Sequence, residues 1–564
     1  MRRFPYGETN FELIRTSKKV FVDKTKYIAE LEQQPSFQFF IRPRRFGKTL
    51  WLSVLENYYD INKADKFDAL FGDLYIGKQP TALKNNYLAL KLSFAGITTD
   101  QGKAVLITGF ANKVRLAVEA FFVRYKEYFN ETPQLREDIA ASDTITTLCE
   151  AVEASGKRIY LIIDEYDNFA NELIAGDDKE LYYDLISGEG YVKAFYKAIK
   201  EGTSSSIERL FMTGVSPVML DDLTSGFNIT NNLTLKPELN AMLGLTSEEV
   251  SALVIEVCPD TMNLQKLQDD LREYFNGYKF SAEATEKVFN TNMVIYFLEE
   301  VRQRGKYPQY ILDRNVVTDY RKTEMLARKF DAYESLQLIA SGGTVLTRLV
   351  DRFDLHTIYE NQENYWSLMY YLGLLTIKSA QFGKVELGTP NYAIKSMFWE
   401  NFGEMLKTQT KVVRSDEFYE PLAQMAVQGV ATEFVTRFEK MLKTVLTFRD
   451  LVQIDEKHIQ MVLLSIVHID GTFFVNSERE LGNGYADVLL QENPSNPGSA
   501  NYEWIIELKY LKVKNLKNYN RVAAAAKIQL EGYRTAYVEK YNNGKIVKTL
   551  VLIVSGKGKI DVAW

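Results

Sequence analysis

The sequence predicts an α/β protein: a parallel sheet with helices on both faces, then a helical region, then a smaller α/β domain at the C-terminal end. Three observations carry this. Short apolar runs of strand length alternate with stretches of helical periodicity over 1–235. Two of those runs end in acidic or hydroxyl residues, as strands that carry a site at their C-terminal edge do. Near the end, two strand-like runs lie either side of a loop rich in Pro, Gly, Ser and Asn, and a helix and another strand follow.

The elements follow in order. Phe37–Ile41 (FQFFI) is a buried-strand run, and Arg42–Gly47 is a loop. After Thr49, Leu50, Trp51, Val54, Leu55 and Tyr58 fall at helical spacing. Arg158–Ile163 is a second strand, delivering Asp164 and Glu165, and Arg209–Met212 is a third, leading into Thr213-Gly214. Residues 236–330 are expected to form a helical lid, with a helical pattern from Ser247 to Phe330. Residues 331–452 read as a mostly helical linker region. Within it, Trp366–Phe402 reads as a helix, a hairpin turning at Phe382-Gly383, and another helix. That pattern fits a lid subdomain with a hairpin better than a winged-helix-like module. Residues 453–564 form the last domain: helix Glu456–Ile469, strands Tyr485–Leu490 and Trp504–Lys509, helix Val522–Glu539 and strand Thr549–Ser555, an α-β-β-α-β order.

Composition excludes several classes. A chain of 564 residues holds roughly three or four domains. Cys149 and Cys258 are far apart, and only His356, His458 and His468 occur, so a zinc centre and a disulfide scaffold are not expected. The N-terminus (MRRFPYGETNFELIR) lacks the apolar stretch of a signal peptide, and Met461–Ile469 is too short to span a bilayer. A soluble, cytoplasmic protein with no membrane partner is expected. The net charge of −6 gives no global attraction to nucleic acid. From Lys509 to Lys548, however, ten basic residues face only Glu531 and Glu539, which is either a local basic field or a solvated helix surface.

Strand, loop and helix around Arg42–Thr49 fit a P-loop. Such a loop offers backbone amides to phosphates at a helix N-terminus, a Lys to the β- and γ-phosphates and a hydroxyl to Mg²⁺. Gly47, Lys48 and Thr49 supply the GKT end, while Arg42 stands where the first Gly is expected. In RIYLIIDEYD, Asp164 would hold Mg²⁺ and Glu165 would orient or activate the attacking water. Thr213 sits where a polar residue could reach the γ-phosphate, or is a turn residue.

Asp487 in YADVLL and Glu507-x-Lys509 in IIELKY form a second constellation. Alternation puts Glu507 and Lys509 on one face and Leu508 on the other. An Asp followed by Glu-x-Lys on the next strand is the pattern of the PD-(D/E)XK nucleases. Asp487 and Glu507 would bind a hard cation, and Lys509 would orient the water or offset developing charge. Glu456 on the preceding helix is a further acid. Gln529 and Tyr533, four apart on one helix face, are candidates to touch the substrate strand.

Four segments, FVDKTKYIAELEQ, FFIRPRRFGKTLWLSVLENYY, LIIDEYDN and FMTGVSP, resemble the AAA-ATPase-like proteins common in gut bacteria. FNGYKF (Phe275–Phe280) resembles their lid signature. That family shares RPRRFGK, and so shares the departure at Arg42. The resemblance implies an ATP site formed by Arg45, Phe46, Gly47, Lys48, Thr49, Leu50, Asp164 and Thr213, with Mg²⁺ on Thr49 and Asp164. It places Val22–Thr25 near the nucleotide. It leaves Arg44 and Arg45 to phosphates, a neighbouring subunit or the surface, and implies a homo-oligomer in which a neighbour's Arg completes the site. SERELGNGYADVLL with WIIELKY resembles the nuclease-like domain in which this family often ends, although GYAD replaces the usual GR-D. The expected function is an ATP-binding, ATP-hydrolysing protein coupled to a nuclease that uses Mg²⁺, or Mn²⁺ in its place, on DNA. The alternative is a nucleotide-controlled switch whose nuclease-like domain only grips nucleic acid or a partner.

Overall fold

The computed structural model describes residues 2–176, 178–186, 190–219, 227–259, 262–313, 333–352, 361–410, 416–445, 455–469, 471–541, 543–555 and 558–563. They form two compact units: Met1–Gly305 with Leu346–Pro390, and Lys306–Val345 with Asn391–Trp564.

The first unit is built on five strands: β1 (Phe37–Ile41), β2 (Leu88–Ser93), β3 (Ile159–Asp164), β4 (Ile207–Gly214) and β5 (Asn231–Asn232). They run parallel in the order β2-β3-β4-β1-β5. β3 is buried along its whole length, as a central strand covered on both faces is. Register sets the functional edge: Ile41 lies opposite Gly214, and Ile163 opposite Met212. The loop after β1, the acids after β3 and Thr213 on β4 therefore share one C-terminal edge. Helix α1 (Lys48–Tyr59) packs on the sheet, with Tyr59 stacked on Tyr160 of β3 at 4.4 Å between ring centroids. β2 was not foreseen from the sequence, because Lys91 interrupts its apolar run.

Helices do follow from Ser247, and the part of that pattern at 314–330 lies outside the described residues. Helix α2 (Ser247–Val257) opens on a capping box in which the Thr246 and Glu249 side chains satisfy each other's backbone amides. Helix α3 (Thr291–Arg304) opens on Asn290, whose side chain accepts from the Met293 amide, and stops at Gly305 with φ 65°. The hairpin Thr376–Gln381/Lys384–Gly388 turns at Phe382 and Gly383, both at positive φ. Its Thr376 Oγ1 accepts from the Lys279 amide at 2.8 Å, so the hairpin sits beside Phe275–Phe280 in the same unit.

The second unit carries a mixed sheet of β6 (Phe473–Leu481), β7 (Gly484–Glu492), β8 (Tyr502–Leu511), β9 (Ile546–Ser555) and β10 (Lys559–Ala563), in the order β10-β9-β8-β7-β6. Only β8 and β9 pair in parallel, joined through helix α5 (Tyr519–Tyr541) as a parallel crossover requires. Helix α4 (Glu456–Ile469) precedes the sheet. The order is thus α-β-β-β-α-β-β. The two unforeseen strands are the edges, where half-polar or short sequences suffice. On α5, Ala523, Ala526, Leu530, Tyr533 and Tyr537 recur at three- and four-residue steps. They pack on Ala486, Leu489, Ile505, Val551 and Ile553.

Candidate nucleotide and metal sites

Gly47 precedes α1 in the left-handed region (φ 93°), which glycine enters without strain. Arg45 enters it too (φ 72°), where a non-glycine residue is disfavoured by about 1 kcal/mol or more. Arg42 has no positive φ. Its buried guanidinium donates to Ile41 O (2.9 Å), Thr234 O (2.9 Å) and Leu239 O (3.0 Å), and lies over the Phe40 and Phe280 rings. The absent first glycine is thereby explained: the position needs a core cation bound to carbonyls, not a flexible hinge. The Phe46 ring is also buried, edge-on to Tyr278 (4.9 Å) and Phe280 (5.2 Å) of the FNGYKF segment.

Lys48 Nζ is turned back onto the loop, donating to Arg42 O (2.8 Å) and Pro43 O (2.9 Å). Burial pushes its ammonium down to about 8, against the opposing pull of Asp164, Asp167 and Glu165. Thr49 and Leu50 are half-buried in the first turn of α1. Asp164 ends β3, buried, and its Oδ1 has no hydrogen-bond partner. A buried carboxylate oxygen left bare is costly unless something completes it, and a hydrated Mg²⁺ fits that donor. Glu165, at φ 51°, has its carboxyl raised by burial and then by Asp164. The Thr213 hydroxyl is already committed: it donates to Phe40 O at 2.5 Å, and would have to leave that bond to reach a phosphate.

Val22 and Lys24 line an apolar cleft with Phe46, Gly47, Leu50 and Thr291. Lys24 is tied to Ala241 O (2.9 Å) and Glu249 (2.7 Å), and Thr25 to Asp23 (2.6 Å). The sequence reading missed Asp167. It is buried and accepts from the Val215 and Ser216 amides and the Ser216 hydroxyl, stapling the ends of β3 and β4 together. The only signal was a third acid in LIIDEYDN.

In the second unit, β7 and β8 bring Asp487, Glu507 and Lys509 together, and α4 adds Glu456. Lys509 Nζ lies 2.9 Å from Glu507 Oε1, 3.4 Å from Glu456 Oε1 and 3.8 Å from Asp487 Oδ2. The Leu508 amide donates to Asp487 Oδ2 (2.7 Å), and the Tyr510 amide to Glu456 Oε2 (3.0 Å). Glu507 is buried, and its Oε2 has no hydrogen-bond partner. Burial, then the Asp487 charge, pushes the Glu507 carboxyl up to about 7, and burial raises Asp487 as well. Burial alone would lower the Lys509 ammonium. The three carboxylates outweigh it and hold the group above its usual range.

Among the described residues, no group of three or more His, Cys, Asp or Glu is drawn together as a ready metal cage. The fit to a cation rests on Asp487 and the bare oxygen of Glu507. Gln460, one turn beyond Glu456 and buried, was also missed. Its amide donates to Asp487 O (2.9 Å) and reaches Glu478 Oε1 (3.4 Å). Glu478 itself sits at φ 52° on β6, where the β6–β7 ladder passes from Arg479–Ala486 to Ser477–Val488 with its register unchanged, so Glu478 and Asp487 are the one residue on each strand left out of the pairing. Gln529 is exposed and donates to the Tyr533 hydroxyl (2.6 Å). Tyr533 is buried, and a Cβ placed on Gly484 would come within 2.5 Å of its oxygen.

Comparison with known proteins bears on the two domains. Residues 5–224 match the family model described as predicted AAA-ATPase, and residues 454–564 match that of the PD-(D/E)XK nuclease superfamily. The chain joins an AAA-ATPase-like domain to a nuclease-superfamily domain. A curated relative from Azotobacter chroococcum mcd 1, an uncharacterized protein in the vnfD 5′ region, is 25% identical over 296 residues. The match covers 51% of this chain and 51% of that protein, so the chain spans about half the length of the curated relative it matches. Among solved structures, the Walker-type ATPase PABY2304 of Pyrococcus abyssi aligns with a TM-score of 0.38 and 11% identity, covering 66% of this chain and 94% of that one. Cdc6p from Pyrobaculum aerophilum aligns with a TM-score of 0.25 and 10% identity, covering 67% and 94%. Among the described residues, no helix is long and apolar enough to cross a membrane.

Proposed function

We propose that the AAA-ATPase-like domain binds and hydrolyses ATP with Mg²⁺, and that the nuclease-superfamily domain cuts DNA in a reaction that needs Mg²⁺ or Mn²⁺. The observation that carries the second half is the gathering of Asp487, Glu507 and Glu456 around Lys509, with one buried oxygen of Glu507 left without a partner. A divalent cation held by Asp487 and Glu507 supplies charge neutralisation at the scissile phosphate and a more acidic water. Lys509 orients that water and offsets charge on the phosphate oxygens. Gln460 fixes the backbone that carries Asp487.

In the ATP site, the apolar cleft takes the base, and the amides of Arg45–Leu50 take the phosphates. Lys48 exchanges its two carbonyl partners for phosphate oxygens. Glu165 accepts a proton from the attacking water, a role its raised pKa suits. Replacing Glu165 by Gln lowers turnover about a hundredfold with ATP affinity kept. Several copies of the chain assemble, a neighbour's arginine completing the ATP site. Because both activities share a chain, nucleotide state controls cutting.

The test is cleavage of linear and circular DNA, single- and double-stranded, with Mg²⁺ or Mn²⁺, with and without ATP. The unaltered protein is run beside Asp487→Ala and Lys48→Ala. Cutting lost in Asp487→Ala and altered in Lys48→Ala supports the proposal. No cutting of DNA or RNA by any of the three leaves the second reading, a nucleotide-controlled binding switch in which Lys509 permanently occupies the place of the cation.

A further inference from the structure

Three consecutive carbonyls of the P-loop are held by the first turn of α3. Asn290 Nδ2 donates to Arg44 O (3.4 Å), the Asn292 amide to Arg45 O (3.1 Å), and the Thr291 hydroxyl to Phe46 O (3.3 Å). In a trans peptide the C=O and the following N–H point in opposite directions. Carbonyls 44, 45 and 46 turned toward α3 therefore turn the amides of Arg45, Phe46 and Gly47 away from it. Those are the amides a phosphate would need. The arrangement is strained, because Arg45 is a non-glycine residue at φ 72°, and such a conformation persists only where its surroundings hold it.

We infer that Asn290, Thr291 and Asn292 are positioning residues for the nucleotide: the lid helix α3 fixes the phosphate-binding conformation of the loop, so ATP affinity is set from the lid. This rests on the ATP-site reading above. The Asn290 side chain has a second task, accepting from the Met293 amide as the helix cap, and the two tasks can be separated. Serine at 290 caps a helix about as well as asparagine but is too short to reach Arg44 O. Valine at 291 keeps the shape of threonine and removes the donor.

The experiment is calorimetric titration of Mg²⁺–ATP into the full chain and into Asn290→Ser/Thr291→Val, with melting of each protein without nucleotide. Thr291→Ser, which keeps the hydroxyl, serves as the conservative control. Loss of two neutral hydrogen bonds predicts about a tenfold weaker ATP affinity in the double variant. Melting without nucleotide should be nearly unchanged, and Thr291→Ser, which keeps the donor, should recover most of the affinity that the double variant loses. Equal affinities for the double variant and the unaltered chain overturn the inference. So does an affinity loss matched by a large fall in melting temperature, since that marks a merely structural turn. Failure of the unaltered chain to bind ATP would overturn the ATP reading itself, and is distinct from either result.

Discussion

Each candidate site is centred on a lysine, and the two lysines are pushed in opposite directions. Lys48 is buried among carbonyls, and burial lowers its ammonium to about 8. Lys509 is half-buried among carboxylates, which hold it above its ordinary value. The first site holds a poorly stabilised ammonium, which lacks an anion, beside the bare Asp164 oxygen. The second is an excess of carboxylate, with Glu507 raised to about 7 and one of its oxygens bare, and what it lacks is a cation. The same residue type thus marks opposite electrostatic deficits, and the neighbours, not the lysine, decide which ligand each site takes.

Replacing each lysine by Met breaks or sharpens this contrast most strongly. Lys509→Met should cut DNA about a thousandfold more slowly, by the magnitude typical of lost electrostatic stabilisation. It should nevertheless bind Mn²⁺ more tightly, because a competing cation has gone. Lys48→Met should lose about a hundredfold in ATP affinity, from loss of charge-assisted hydrogen bonds. Calorimetry with Mn²⁺ and with ATP checks both. A Lys509→Met protein that loses Mn²⁺ affinity along with cutting would mean the lysine supports the metal site instead of opposing it.

Arg42 tests a different side of the contrast, the backbone. Arg42→Gly restores the glycine with which such loops usually begin. It should nonetheless destabilise the AAA-ATPase-like domain by about 3 kcal/mol, because three buried carbonyls lose their donor. The urea midpoint of that domain's unfolding is the measurement. An unchanged midpoint would mean that water replaces the guanidinium without cost.

Glu507 makes the cation site pH-sensitive. Its carboxyl must be ionised to hold a metal, and its folded value of about 7 lies above the ordinary glutamate range. Mg²⁺ affinity should therefore fall roughly tenfold per pH unit below about 7 and level off above it. The sign for metal-free stability is the reverse of the usual carboxylate case. The folded state binds the extra proton, so stability contributed by the neutral carboxyl is present below the unfolded value and is lost as pH rises toward 7. Glu507→Gln should remove both slopes. A Mg²⁺ affinity flat between about pH 5.5 and about pH 7.5 would place another group in control.

Much of this was legible in local runs. FQFFI and the helix Glu456–Ile469 have the bounds that their apolar patterns indicate, and strand alternation puts Glu507 and Lys509 on one face. What was not legible depends on chain segments far apart in sequence. Asn290–Asn292 act on a loop about 245 residues earlier, a separation set by tertiary packing that no local pattern encodes. Gln460 reads as one more polar residue on an amphipathic helix until β7 places the Asp487 carbonyl against it. Arg42 was visible only as a missing glycine, because the carbonyls that explain it come from Thr234 and Leu239. Edge strands β6 and β10 escaped because an edge tolerates the polar residues that mask a strand.

The smallest expected effect concerns Gln529 and Tyr533. Their sequence spacing suggested a substrate-facing pair, and the structure gives them unequal surroundings: Gln529 is exposed, while Tyr533 lies in the core under Gly484 with its hydroxyl accepting from Gln529. Any substrate contact is therefore left to Gln529, with Tyr533 holding it in place. Tyr533→Phe keeps the ring packing and removes one hydrogen bond, so stability should fall by no more than about 1 kcal/mol. Cutting should fall about threefold through KM, the size of a weakened hydrogen bond to substrate, with kcat unchanged. Gln529→Ala should do the same, and the double variant should add nothing to either. If Gln529→Ala leaves KM untouched, the pair belongs to the packing of α5 on the sheet. The substrate path would then have to be sought among the exposed basic residues of the same helix, Arg521 and Lys527.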